Sequence, residues 1–475
     1  MKLSRSFPSF QITLLSLYWA LQNCSGAIFT TIVTNGPATN RVNLVLFAEG
    51  YTNGQLNQFL GDCTNAAQNF LGTQPYAEYS NYFNVFAIFT NSAHAGSTHL
   101  INGPYRNGYT YFNSIYDANS DYIITIPPNN LDSNKSHGQG KIDTLLKKFL
   151  PSVTHDLPAL LVNDPTAGGS DNYGTTAISS IPNISYILVH ESGHTLGKLG
   201  DEYTTANPGF PNIQQPNTTT NTAFAAIPWH AWIATNTPLP TPFTGDYAQT
   251  IGLFAGAHYH VTGWYRPYEN CCMQSFGTGF CPICQEALVL AIYGKTRPID
   301  SVLPAGNRLS ITSTQDLTFK LNLLQPATHS LCIQWFTNGM AVVSATNPVF
   351  TVRPAGLGNG TKTLSATVWD PTDWVRNDPK HQLHQTNIWN LNIKLPTSTT
   401  KVITAPPNIK LSRPNGGFQL QLTGTASAAV VLETSTNLMQ WVPLSTNNLT
   451  QGNLFFTNFT TENSRVRFFR AHTPP

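Results

Sequence analysis

The chain has 475 residues, of which 41% are hydrophobic and only 10% are charged, and its formal net charge at neutral pH is +2. This length exceeds what one ordinary core organises, so it predicts two to four domains. The small net charge, without any run of lysine or arginine, argues against a nucleic-acid or anionic-membrane partner. Few charges and abundant Gly and Pro are typical of an extracellular protein rich in β-structure.

The N-terminal residues have the order of a secretory signal peptide. Lys2 and Arg5 precede an apolar stretch at residues 12–21, and small residues follow at 25–27. This pattern predicts a signal peptide over residues 1–27. The apolar stretch is short for a bilayer span, which disfavours the alternative of a membrane anchor. We therefore expect a protein with no membrane span that is secreted to the extracellular space or the periplasm.

Residues 28–295 alternate between strand-like and helix-like patterns. Apolar runs predict buried strands, and apolar residues at helical spacing predict helices that lie against them. Such alternation predicts a mixed, largely parallel sheet with helices on its faces. The expected strands are residues 42–47, 82–90, 122–126 and 157–162, and the expected helices are residues 52–71 and 141–150.

The character of the sequence changes after Lys295. Short β-type runs separated by Gly, Asn and Pro predict an immunoglobulin-like β-sandwich over residues 296–395. Residues 396–407 contain Ser, Thr and Pro and read as a linker. Further short strands over residues 408–475 predict a second, smaller β-sandwich.

The residues that carry chemistry are concentrated in the sequence His190-Glu191-Ser-Gly-His194. Two histidines four positions apart lie on one face of a helix, about 6 Å apart along its axis. Both imidazoles can then bind one Zn²⁺. Glu191 lies beside them, where a carboxylate can act as general base toward a metal-activated water. A helix with two ordinary surface histidines is the alternative.

The third protein ligand has to come from beyond this helix. Asp201 would lie about 10.5 Å further along a continuous helix, which is out of reach of the metal. Gly197 and Gly200 could enter the left-handed region, end the helix and turn the chain back. We favour Asp201 as the third ligand, with Glu202 as the alternative.

The remaining motif is a group of cysteines. After removal of the signal peptide six cysteines remain, four of which are Cys271, Cys272, Cys281 and Cys284. In an exported protein an even number of cysteines favours disulfides. The C-x-x-C spacing also suits a second, structural zinc. The sequence favours disulfides and leaves their connectivity open.

These motifs resemble the IgA-peptidase family of secreted zinc metallopeptidases, which is related to the metzincin clan. The family pattern H-E-x-G-H and a later D-E-Y are matched by residues 190–194 and 201–203, and a second similar block spans residues 263–284. The resemblance covers roughly residues 28–395. In most metzincins the third ligand falls where this chain has Gly200, whereas this family places an aspartate one position later.

The resemblance implies a fold, a cofactor and a structural methionine. It implies a metzincin-like α/β zinc peptidase domain, followed here by the two small all-β sandwich domains. Zn²⁺ is the implied cofactor, and Met273 is the implied methionine of the tight turn beneath it. The implied partner is a protein or peptide substrate, with glycoproteins among the options, and the oligomeric state stays open.

Together these features predict a secreted zinc-dependent endopeptidase with Glu191 as catalytic base. Two alternatives remain: a non-catalytic surface or glycan-binding protein, and a zinc hydrolase of a non-peptide substrate. Residues 164–170 would end either in an edge strand that pairs with extended peptide or in a surface loop. Tyr259, Tyr265 and Tyr268 are the tyrosines that could approach the metal.

Overall fold

The computed structural model describes residues 26–106, 108–118, 120, 122–127, 138–151, 156–172, 174–180, 186–396, 406–414, 418–426, 428–457 and 466–473. The expected signal peptide lies outside these residues up to position 25. Within the described part, no helix is both long enough and apolar enough to cross a bilayer. Contacts divide the chain into two compact units, Met1–Leu395 and Pro396–Pro475.

The first unit opens with strands and helices in alternation, as the sequence predicts. In chain order these elements are β1 (Ile28–Val33), β2 (Val42–Glu49), α1 (Leu56–Leu71), β3 (Phe83–Phe89), β4 (Thr98–His99), β5 (Ile115–Tyr116), β6 (Ile124–Thr125), α2 (Gln139–Phe149), β7 (Leu157–Val162), β8 (Gly169–Asn172), β9 (Thr175–Ser179) and α3 (Tyr186–Thr195).

A six-stranded sheet with the order β1-β3-β2-β7-β9-β8 is the frame of this region. The four central strands run parallel, and β1 and β8 are antiparallel to their neighbours at the two edges. The fold of this region is thus mixed α/β. Strands β4, β5 and β6 form a separate small sheet.

Both faces of the central strands are buried, which explains their continuous apolar sequence. In β2, Leu44 and Leu46 belong to one hydrophobic cluster, while Val45 and Phe47 belong to another on the opposite face. Helix α1 contributes to the first cluster and α2 to the second. Period-two alternation within one strand therefore supplies two cores.

The rest of the first unit adds a hairpin, a long helix and two further sheets. Its elements are β10 (Phe254–Ala257), β11 (His260–Arg266), α4 (Pro282–Lys295), β12 (Ile299–Leu303), β13 (Arg308–Ile311), β14 (Leu317–Leu323), β15 (Cys332–Thr337), β16 (Met340–Ala341), β17 (Val349–Val352), α5 (Pro354–Leu357), β18 (Gly360–Trp369) and β19 (His384–Ile393). The sheets β12-β14-β17 and β13-β19-β18-β15-β16 share one hydrophobic cluster that includes Phe319, Trp335 and Trp389.

The second unit contains two three-stranded sheets, β20-β21-β24 and β23-β22-β25. Leu420 and Leu422 of one sheet share a hydrophobic cluster with Val430 and Leu432 of the other. Its strands are β20 (Asn408–Ser412), β21 (Gln419–Thr423), β22 (Ala429–Ser435), β23 (Val442–Asn448), β24 (Asn453–Thr457) and β25 (Phe468–His472).

Candidate active site

Three ligand-type side chains meet at the C-terminal end of α3. The Nε2 atoms of His190 and His194 are 3.3 Å apart. Asp201 Oδ1 lies 3.2 Å from the first of these nitrogens and 3.3 Å from the second. His190 and Asp201 are buried, and His194 is partly exposed. The three atoms form a nearly equilateral triangle.

Backbone carbonyls hold both imidazoles in one orientation. His190 Nδ1 lies 2.9 Å from the carbonyl oxygen of Cys272, and His194 Nδ1 lies 2.8 Å from that of Leu199. A carbonyl can only accept, so each Nδ1 carries the proton and donates. In the neutral ring, Nε2 then has a free lone pair, and this is the arrangement that metal-binding histidines use.

The donor set fits a zinc ion. Asp201 Oδ1 is buried and receives no hydrogen bond, although both imidazoles lie within 3.3 Å of it. The three atoms therefore converge on a common point instead of pairing with one another. A tetrahedral Zn²⁺ about 2.0–2.1 Å from nitrogen and oxygen ligands spaces them by about 3.3 Å, as seen here.

The chain reaches this position through a reversal after α3, but by a different residue from the one expected. The sequence assigned the left-handed conformation to Gly197 or Gly200, and that assignment is wrong, because Lys198 has the positive φ of 54°. Leu199 N then donates to Gly193 O across the turn.

The two glycines of the turn are needed for space. A Cβ on Gly197 would lie 2.8 Å from Leu288 Cδ2 and 3.0 Å from the carbonyl oxygen of Gly193. A Cβ on Gly200 would lie 2.1 Å from Gln215 Oε1. These two positions therefore require glycine because neighbouring groups approach the backbone closely, and not because the backbone is left-handed there.

Asn217 holds the returning loop and was not identified from the sequence. Its amide accepts from Gly200 N at 2.7 Å and donates to Gly200 O at 2.8 Å. It also donates to Glu202 Oε1 at 2.9 Å. No local motif marks this residue, since its partners lie about fifteen positions earlier in the chain.

The hairpin β10–β11 packs against the loop that carries Asp201 and Tyr203. His258 and Tyr259 form its two-residue turn, and both have positive φ, which favours the right-handed twist of a hairpin. Their backbone amides donate to the carbonyls of Asp201 and Tyr203. The Tyr259 hydroxyl donates to Asp201 Oδ2. Both oxygens of Asp201 are thus committed to the site.

Among the tyrosines named from the sequence, Tyr259 contacts a candidate ligand. Tyr203 also contacts a candidate ligand, although the sequence did not predict this contact. Its hydroxyl lies 3.4 Å from His190 Nε2, and its ring stacks on that imidazole. Tyr203 belongs to the D-E-Y pattern, so the signal was present in the sequence.

Glu191 and Met273 lie next to the three converging side chains. Glu191 is buried and precedes His194 on α3; burial raises its pKa, although the charges of His194 and His190 act in the opposite direction. Met273 is fully buried, and a Cβ on Gly193 would lie 2.7 Å from its Sδ. The methionine thus packs directly against the helix that carries both histidines.

The charges of the site are strongly coupled. Burial alone would raise the pKa of Asp201, but His190 and His194 outweigh it and hold this pKa below its ordinary value. Burial lowers the pKa of His194, whereas Asp201 and Glu191 raise it, and the result is about 9.

Glu202, the alternative third ligand, points away from the histidines. Its side chain is fully buried and lies beside Cys271, Cys281 and Cys284. The six cysteines in the described part of the chain are unbridged, so the structure contains no pair that corresponds to the predicted disulfides.

An edge strand lies close to the site. Strand β8 is an edge strand of the six-stranded sheet, and residues 164–168, which precede it, have no regular secondary structure. Thr195, next to His194, donates to Asp171 Oδ1 of this strand at 3.2 Å. Of the two possibilities for residues 164–170, the structure thus supports a loop that leads into an edge strand.

Comparison with known proteins identifies one family. The sequence profile described as IgA peptidase M64 matches residues 30–249 and 244–292, which together span more than half of the chain. The match contains His190, Glu191, His194, Asp201 and Met273. No curated protein matches the chain.

Solved structures resemble the chain only weakly. A β-glucuronidase of Bacteroides uniformis is 9% identical with a TM-score of 0.15, and the match covers 45% of this chain and 27% of that one. Three domains of the outer capsid protein Hoc of bacteriophage RB49 are 10% identical with a TM-score of 0.15, covering 34% of this chain and 59% of that one. The chain thus spans less than two thirds of either protein.

Proposed function

Since the chain belongs to the IgA peptidase M64 family and is therefore a peptidase, we propose that it is a secreted zinc-dependent endopeptidase. One observation supports the proposal above all others: three donor atoms within 3.3 Å of one another converge without a hydrogen bond to Asp201 Oδ1. Export rests on the signal-peptide pattern of residues 1–27.

The proposed ligands are His190 Nε2, His194 Nε2 and Asp201 Oδ1. Zinc held by three protein ligands supplies Lewis acidity, which acidifies water and polarises a carbonyl group. The carbonyl oxygens of Cys272 and Leu199 fix the two ring orientations. Tyr259, through its hydrogen bond to Asp201 Oδ2, fixes the carboxylate. Preorganisation of this kind raises metal affinity.

Glu191 is the proposed general base. A carboxylate oxygen accepts a proton from the water that attacks the peptide carbonyl, and then returns the proton to the amine that leaves. Burial raises the pKa of Glu191, which makes its carboxylate a better proton acceptor. The peptide bond between carbonyl carbon and nitrogen breaks, and water supplies the hydroxyl of the new carboxylic acid.

An extended protein or peptide chain is the proposed substrate. Strand β8 is the sheet edge beside His194, and an extended peptide can add to such an edge through main-chain hydrogen bonds. Phe276, half exposed, packs edge-on to the His190 ring at 4.8 Å and offers an apolar contact for a substrate side chain.

The proposed fold assigns the mixed α/β region to a metzincin-like peptidase domain with Met273 in its methionine turn. The contact between Met273 and Gly193 supports this assignment. We further assign the two sheets within residues 296–395 to an immunoglobulin-like sandwich, and the two sheets of the second unit to a smaller one. Their shared hydrophobic clusters support these assignments.

The test is chelator-sensitive cleavage of denatured casein by the purified protein. We expect cleavage at internal peptide bonds, detected as new termini by mass spectrometry, and its recovery when zinc is restored. Glu191→Gln should bind as much metal as the unsubstituted protein while the rate falls about 10²- to 10⁴-fold. Asp143→Asn makes the same change of carboxylate to amide on the exposed surface of α2 and should leave cleavage unchanged.

Each alternative has its own outcome in this assay. Undiminished cleavage by the Glu191→Gln variant would remove Glu191 from the proposed role. Folded, metal-loaded protein that cleaves no casein peptide would favour a binding protein, or a hydrolase of other bonds if a sugar or amide substrate were turned over instead.

A further inference from the structure

A second group of ligand-type side chains lies on the far side of the loop that carries Asp201. It consists of Glu202, Cys271, Cys281 and Cys284, and one ligand atom from each lies within 4.8 Å of the others. Cys271 Sγ and Cys284 Sγ are 3.6 Å apart, and Cys284 Sγ is 3.9 Å from Glu202 Oε1. All four residues are buried. We call this group the thiol cluster.

Glu202 shows that the thiol cluster is incomplete as a set of neutral thiols. One carboxylate oxygen, Oε1, accepts from Asn217, but Oε2 is buried and has no hydrogen-bond partner among the described residues. A buried, unpaired carboxylate oxygen is costly. Its burial against three thiols is explained if a cation normally lies among them.

A disulfide does not account for this arrangement as well. A bond between Cys271 and Cys284 would draw their sulfurs to about 2.0 Å and leave Cys281 and Glu202 without a partner. Three thiols cannot all pair with one another. Four thiolate or carboxylate ligands around a tetrahedral zinc, by contrast, are spaced by about 3.5–3.8 Å. The distances of 3.6 and 3.9 Å are close to that spacing.

Several neighbouring groups favour negative charge on the sulfurs and so oppose the cost of burying it. Cys281 is the N-cap of α4, and Cys284 lies in its first turn, where the helix dipole favours thiolates. Cys281 N donates to Cys271 Sγ at 3.4 Å. Arg266 is a buried cation near Glu202. These groups offset part of the charge that three thiolates and a carboxylate would carry.

We propose that Glu202, Cys271, Cys281 and Cys284 form a second zinc site with a structural role. Four protein ligands leave no open position, which is the mark of a structural site. The site does not depend on the proposed peptidase activity, because none of its ligands belongs to the group around His190.

The proposed second site lies next to two segments that support the candidate active site. Cys271 precedes Cys272, whose carbonyl orients His190, and Glu202 follows Asp201. Glu202 N also donates to the carbonyl of Met273. A metal at the thiol cluster would therefore fix the loop of Asp201 and the turn of Met273 to the same helix, α4. It would keep the Asp201 loop and the Met273 turn in fixed positions relative to each other.

The experiment is cobalt substitution of the full-length protein after removal of its metal. Thiolate ligands give Co²⁺ an intense charge-transfer absorption in the near ultraviolet, and a site of two imidazoles and a carboxylate does not. We expect two zinc ions per chain in the unsubstituted protein, and this absorption after loading with cobalt. His194→Ala should reduce the zinc content to one and keep the absorption. Cys284→Ser should also reduce it to one and lose the absorption.

Cys63→Ser is the matched control, since Cys63 is equally buried but lies in α1 outside the thiol cluster. It should keep both metals. Folded, unsubstituted protein that takes up cobalt without the absorption would overturn the proposal, as would a disulfide between any two of the three cysteines in peptide mapping. Both measurements use the unsubstituted chain, so they decide the question even if Cys284→Ser fails to fold. An absorption that persists when casein is not cleaved would separate this site from the proposed activity.

Discussion

Asp201 and Glu202 are neighbours in sequence, yet they face opposite sides of one loop. Asp201 lies with the two histidines, and Glu202 lies with the thiol cluster. Neither residue belongs to a helix or a strand, so no regular structure places them on one face. One acidic pair thus supplies a ligand-type carboxylate to each of two buried groups. Asp201→Glu would lengthen only the side chain that faces the histidines, and Glu202→Asp would shorten only the side chain that faces the thiol cluster.

Tyr259 is a positioning residue in this scheme, since its hydroxyl touches Asp201 and not the reacting atoms. Tyr259→Phe removes a hydrogen bond from the carboxylate that we propose as a metal ligand. We expect the zinc concentration that restores cleavage in chelated protein to rise about 10-fold or more. Tyr265→Phe, on the same hairpin, should leave this concentration unchanged. An unchanged zinc requirement with a lower rate at saturating zinc would instead place the Tyr259 hydroxyl on the substrate.

At the scale of elements, the sequence predicted those parts whose signal is local. Strands β2 and β7 and helices α1 and α2 follow from apolar runs and helical spacing, and the structure has them within a few residues of the expected limits. The reversal after α3 was predicted as an event but assigned to the wrong residue. Lys198 takes the left-handed conformation, whereas Gly197 and Gly200 allow the close approach of neighbouring groups.

Other parts of the site have no local signal. Asn217 holds Gly200 through a side chain seventeen residues away, and Tyr259 reaches Asp201 from fifty-eight residues away. Such contacts depend on how the hairpin β10–β11 packs on the loop, which sequence spacing does not encode. The thiol cluster was visible as a group of cysteines, but the participation of Glu202 required the fold.

An ion pair between Arg41, at the start of β2, and Asp300, in β12, joins the two sheet regions of the first unit. Burial raises the pKa of Asp300, but hydrogen bonds from Arg41 and Asn40 outweigh it and hold the pKa below its usual value. The stabilisation is therefore present above about pH 4 and is lost as the pH falls through the lowered pKa.

Asp300→Asn leaves Arg41 buried without its counter-charge and should destabilise the protein by roughly 2 kcal/mol at pH 6. At pH 3 the difference in Tm between variant and unsubstituted protein should become smaller, because Asp300 is then partly protonated in both folded and unfolded protein. Asp316→Asn is the control, since its partner Arg353 is 75% exposed and the pair contributes little. A difference in Tm that does not depend on pH would contradict the assigned charge.

At the scale of the whole molecule, residues 296–395 belong to the first compact unit, Met1–Leu395. The domain boundary expected at residue 295 stays a prediction. Glu78 accepts from Thr328 and from His329, and His329 also contacts Asp370 at 2.7 Å. These carboxylates are buried.

Buried tyrosines extend this network into residues 28–295. Tyr79 and Tyr293 both donate to Asp370 Oδ2, and Tyr82 donates to the carbonyl of Leu324. Without residues 296–395, three tyrosine hydroxyls and Glu78 would lose these partners, and the surface around them would become exposed. Helix α4 follows its N-cap Cys281 and contains Cys284 near its start and Tyr293 near its end, so one end lies at the thiol cluster and the other at this network.

Two truncations test this dependence. A chain that ends at Leu395 should keep the Tm of the first unit and the rate of casein cleavage, because the contacts of residues 396–475 form a separate compact unit. A chain that ends at Lys295 should aggregate or unfold, because it loses the partners of Tyr79, Tyr82 and Tyr293. Asp370→Asn in the full-length chain tests the same network without truncation, and its Tm should fall while its zinc content stays unchanged. A stable, fully active chain ending at Lys295 would show that residues 28–295 fold alone. The hydrogen-bond network would then only join two independent domains.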